Sequence, residues 1–132
     1  MTLEEIYQYD GANPLTGDPQ PDLFKNFQAR LFARTTECGP LPTVDEAAFQ
    51  RAVSNLESMT VVGLTESYQQ FLDELTARFG WPSAPPVRLQ VAPEPVSIAP
   101  SFRRRLEREN EADLEFYRLA CDLVSRRLSA RV

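Results

Sequence analysis

Eleven prolines, gathered in separate stretches, decide what this chain can fold into. Proline has no N–H to donate and a fixed φ, so it ends helices and is confined to the edges of sheets. The stretch DGANPLTGDPQPD, residues 10–22, holds three prolines and two glycines and reads as a loop or extended arm. TTECGPLP, residues 35–42, is a second turn-rich segment. Residues 82–100 carry six prolines, which excludes long helices and leaves a Pro-rich connection. A ligand for a proline-recognising domain is the other reading of that stretch.

The windows between these stretches read as helices. Residues 2–9 are long enough for a short one. From Asp22, a good cap, the residues Leu23, Phe27, Arg30 and Leu31 follow at helical spacing. Thr43-Val-Asp-Glu46 has the form of a capping box and precedes the apolar stripe Ala48, Phe49, Ala52, Val53, Leu56. Thr65 is a candidate cap for a helix with Tyr68, Phe71, Leu72, Leu75 and Phe79 on one face, stopped at Gly80. Pro100 suits the first position of a final helix over residues 100–129. Its stripe runs Phe102, Leu106, Asn110, Asp113, Tyr117, Ala120, Val124, placing two polar residues where the core should be. A buried polar group costs about 1–3 kcal/mol unless bonded, so Asn110, Asp113 and Tyr117 read as structural pins that anchor neighbouring loops.

Two segments read as strands. Met59-Thr-Val-Val-Gly63 is short, β-branched and without alternation, which suits a strand buried on both faces. Val87-Arg-Leu-Gln-Val91 alternates and suits an edge. The expected fold is a single mainly α domain with one or two short strands. A single strand leaves its edges unpaired, which favours another protein chain or self-association.

Charge and composition narrow the function. Residues 1–100 carry a net −7 and residues 101–132 a net +2. An acidic body is unsuited to nucleic acid, whose binding draws on phosphate neutralisation. No apolar run approaches the ~20 residues of a membrane span, and the acidic N-terminus is unlike a signal peptide, so a cytoplasmic chain is expected. There is no histidine, and the two cysteines, Cys38 and Cys121, form no metal-binding motif. No zinc site and no histidine general base are expected.

Three fragments form a pattern. Val61-Val-Gly-Leu-Thr-Glu66, with the helix ending Phe79-Gly-Trp-Pro82, resembles the C-terminal half of the carbohydrate-type sulfotransferases. So does Ile98-Ala-Pro-Ser-Phe-Arg-Arg-Arg-Leu106, continued by Asn110-Glu-Ala-Asp113-Leu-Glu-Phe-Tyr117. Asn26-Phe-Gln-Ala-Arg30-Leu31 is similar to the segment preceding these elements, so the likeness covers residues 22–121. The resemblance implies a P-loop-like α/β fold and transfer of a sulfuryl group from 3′-phosphoadenosine-5′-phosphosulfate to a hydroxyl. The family's donor site is a glycine-rich strand–loop–helix with a lysine, a design that surrounds an anion with backbone N–H groups. Here that element is absent: the single lysine, Lys25, has no glycine-rich turn beside it.

The expectation is a partial domain, without catalysis or cofactor of its own, acting with a partner chain that supplies the donor site. The alternative is a non-enzymatic structural or interaction subunit on the same scaffold. Arg103, Arg104 and Arg105, in a helical first turn that disfavours cations, read either as an anion- or partner-binding cluster or as a solvated face with i,i+4 pairs. Asn26, Gln28 and Arg30 read either as acceptor-side contacts or as the polar face of a helix.

Overall fold

The computed structural model of the protein describes residues 2–8, 22, 24–35, 40–83, 85 and 96–130. Its elements are α1 (Leu3–Tyr7), α2 (Phe27–Phe32), α3 (Glu46–Ser58), a 3-10 turn (Thr65–Ser67), α4 (Tyr68–Phe79), α5 (Pro100–Glu109) and α6 (Glu111–Ser129). The mainly α reading holds. Among the described residues there is no strand.

The expected strand at Met59–Gly63 is instead an unpaired run of chain. Among the described residues no strand lies beside it to offer a ladder. The Arg127 guanidinium binds the carbonyl oxygens of Glu57 and Met59, at 2.9 Å each, and fastens the start of the segment to α6. Val62 and Leu64 then lie against the core. The second expected strand, residues 87–91, lies outside the described residues, as do residues 10–21 of the expected arm.

The core is the mutual packing of α2, α3 and α6. Small residues make the α2–α3 seam: Ala29, Ala33 and Ala52 are wholly buried and Ala48 nearly so. With only a methyl group at each position, the helices approach closely and Leu56, Phe116 and Leu123 close the interior. The Phe32 and Phe116 rings meet at 4.9 Å between centroids.

Helix boundaries follow local chemistry that differs from the sequence reading at four places. The cap of α3 is Asp45, whose carboxylate accepts the Ala48 N–H at 2.7 Å, so the Thr43 box is not used. At α4 the residues from Thr65 form a 3-10 turn first, and the helix starts at Tyr68 without a side-chain cap. α2 begins at Phe27, because Asp22 and Asn26 both take left-handed backbone with φ of 57° and 48°. That conformation ends any helical run yet is tolerated by Asp and Asn. Gly80, at φ 66°, terminates α4 in the same left-handed region.

The last difference concerns the C-terminal helix, which is two helices. Asn110, at φ −120° and ψ 30°, interrupts it. The buried line therefore runs Phe102 in α5, then Phe116, Ala120 and Leu123 in α6. Tyr117, placed on the core stripe by unbroken spacing, is 38 % exposed.

Candidate functional site

Three regions carry the chemistry. The first is a polar junction that wires α2 to the α5–α6 break. The Asp113 carboxylate accepts the first-turn N–H groups of Gln28 (3.1 Å) and Ala29 (2.7 Å). The Asn26 side chain reciprocates, accepting the Asp113 N–H at 3.1 Å and donating to the Glu109 carbonyl at 3.3 Å. Asn110 accepts the Asn26 N–H at 2.8 Å, and its amide donates to the Leu106 carbonyl and to the Tyr7 hydroxyl. Each helix thus has first-turn donors met by a side chain from the other, two in α2 and one in α6.

The far end of α2 is treated likewise. Arg51 and Asn55 of α3 donate to the carbonyls of Ala33 (2.8 Å) and Phe32 (2.7 Å). Arg30 reaches the carbonyls of Pro42 and Asp22. Of the acceptor-side candidates, Asn26 and Arg30 spend their side chains on these internal bonds, while Gln28 is exposed. Asn110 and Asp113 anchor backbone. Tyr117 lies elsewhere, its hydroxyl donating to the Glu66 carboxylate.

The second region joins α1 to α5. Arg105 contacts Glu109 at 2.9 Å and Glu4 at 3.5 Å, and its guanidinium stands 5.8 Å from the Tyr7 ring centre. Tyr7 meets Phe102 edge to face at 5.8 Å. Arg103 and Arg104 are exposed and have no ion pair among the described residues. The structure therefore separates the arginine triplet: Arg105 is tied down, and its two neighbours face solvent. Beside them an apolar groove of about 530 Å³ is lined by Leu3, Ile6, Phe24, Ile98, Phe102 and Leu114. Sequence reading missed this groove, since it is assembled from residues as far apart as Leu3 and Leu114; the Leu3/Ile6 pair beside Tyr7 was a local signal.

The Arg105 hydrogen bond, foremost, holds the Glu109 carboxyl below its usual 4.5, with Lys25 also favouring the charged form. A carboxylate with a depressed native pKa adds stability that is complete above the unfolded value and is lost as pH falls through the native one. Glu66, held low chiefly by the Tyr117 hydroxyl, acts in the same direction. The thermal midpoint should accordingly be flat above pH ~5 and fall below about 4.5. Glu109→Gln should shallow that acid limb; an unaltered slope would assign it to other carboxylates.

The third region is α4. It packs mainly on the 3-10 turn, and none of its residues is buried. Tyr68, Phe79 and the following Trp81 are 49 %, 48 % and 56 % exposed. Phe71 folds back onto Gly63 so closely that a Cβ there would lie 2.4 Å from its ring. Among the described residues no cluster suits a metal ion, and no helix is long and apolar enough to cross a membrane. Cys121 is a half-buried free thiol, and Cys38 lies outside the described residues. Against family models, curated proteins and solved structures, the chain matches none.

Proposed function

We propose that this chain is not a catalyst by itself and acts as an interaction unit, with another polypeptide laid over α4. The observation that carries this reading is the state of that helix. Tyr68, Phe71, Leu72, Leu75 and Phe79 stand at helical spacing, yet no residue of α4 is buried. An amphipathic helix is stabilised mainly by covering its apolar face, so α4 is incomplete without a surface to meet. The exposed Phe79–Trp81 pair, at 5.5 Å between ring centres, has the aromatic character of an interface anchor.

A second reading makes the covering polypeptide the carrier of a phosphosulfate loop, so that the two together form a sulfotransferase. The bonds from Asn26 to Asn110 and Asp113 support it. They tie into one unit two of the three fragments that resemble that family.

The test compares the wild type with a Tyr68→Glu, Phe79→Glu variant. Both positions are half exposed and glutamate is a good helix former, so helix content and melting should be unchanged. Sedimentation velocity of the pure chain reads self-association. Affinity purification from source cells, with mass spectrometry, reads companions. Recovery of the associated chain should fall at least about tenfold in the variant, the effect of ~1.4 kcal/mol of lost contact. Equal recovery, with a monomeric wild type, would reject the interaction reading. Calorimetry with adenosine 3′,5′-bisphosphate then separates the two forms: nucleotide binding by the complex but not by the chain alone marks an enzyme, and no binding by either marks an adaptor.

A further inference from the structure

We propose that the 3-10 turn and α4 form one unit that opens from the helical body without unfolding it, latched by the Tyr117–Glu66 hydrogen bond. Three observations carry the inference. α4 contributes no buried residue, whereas α3 buries Ala48, Ala52 and Leu56 and α6 buries Phe116, Ala120 and Leu123. The unit is reached through a segment without regular structure, residues 59–64; Arg127 grips its start, and Val62 and Leu64 rest against the core, so that it can pivot beyond Leu64. Between the turn and α6, the Tyr117 hydroxyl donates to Glu66, an exposed bond. Regions with few buried apolar contacts open at lower free energy than the core.

The two holds differ in kind. Phe71 stacked on Gly63 is internal to the unit and its approach, so it keeps α4 folded against its own lead-in. Tyr117 belongs to the body, and its bond sets where α4 rests. The Glu66 carboxylate that accepts its hydrogen bond raises the phenol further above its ordinary value, so the donor persists across the ordinary pH range. Release would turn the apolar face of α4 as a block. This deepens the reading of α4 as the partner-facing helix and rests on it for its purpose, though not for its measurement.

Hydrogen exchange on the isolated chain tests it. In Tyr117→Phe, which keeps the ring and removes the donor, α4 amides should exchange about two- to tenfold faster, with α2, α3 and α6 unchanged. Unchanged α4 exchange, or equal acceleration in every helix, overturns the proposal. The wild type gives a second test that needs no variant. In low urea, α4 amides should exchange through openings less denaturant-dependent than those of α3 and α6. One common isotherm for all helices would mean no separate unit. Failure here leaves the partner reading standing, because that reading is tested by recovery of associated chains.

Discussion

Asp113→Ala is expected to lower stability by about 2–4 kcal/mol, the combined size of a lost cap and an orphaned buried donor. The carboxylate is the acceptor for two amides at the start of α2, and one of them belongs to Ala29, which is fully buried. Loss of the cap frees α2, whose alanines form half of the seam with α3. Asp113→Asn retains one carbonyl acceptor and should recover part of the loss. Urea unfolding measures both. An alanine variant within about 0.5 kcal/mol of wild type, the range of an ordinary surface change, would show that the junction is ornamental.

Phe116→Ala should cost more, about 3–5 kcal/mol, because a 2 % exposed ring leaves a cavity where α2, α3 and α6 meet. Against a total stability of roughly 5–15 kcal/mol, that loss brings a chain of this size near its limit. Phe116→Leu should recover more than half. The contrast with the adjacent residue is diagnostic: Tyr117→Ala should be clearly milder, since its ring lies at the surface. Reversed ranks would mean that α6 is rotated by one position from the packing described.

That rotation marks the boundary of what the sequence disclosed. Proline and glycine positions located most helices, and the regular steps of α3 and α4 identified their apolar faces. Those are local signals. The break at Asn110 was not local: the N–H groups of Asn26 and Ala29, far away in the chain, bond to the Asn110 amide oxygen and the Asp113 carboxylate presented there. Steps of three and four from Asp113 reach both Phe116 and Tyr117, and the stripe as read took Tyr117 where the fold buries Phe116. The β-branched run at 59–63 misled for a related reason. Its composition suits a sheet, but a strand requires a neighbour, and composition carries no information about one. Asn110 and Asp113 stood out as polar residues on an apolar line; what they would hold was legible only once α2 lay beside them. The alanines of the α2–α3 seam gave almost no signal, since alanine is common on any helix.

The way α2 is held also bears on how the chain reaches its structure. A helix of six residues is far below the ~12–15 that persist in isolation. Its beginning waits for Asp113 and its end for Arg51 and Asn55. α2 therefore has little stability of its own and relies on α3 and α6. It should be among the last elements to form, after α3 and α6 have met, and it imposes a loop closure of more than eighty residues on an otherwise local helical assembly. Such closures slow folding relative to bundles whose contacts are near in sequence. During synthesis on the ribosome, the start of α2 lacks its Asp113 acceptor until that residue has emerged, and in that interval α2 has α3 alone to rest on.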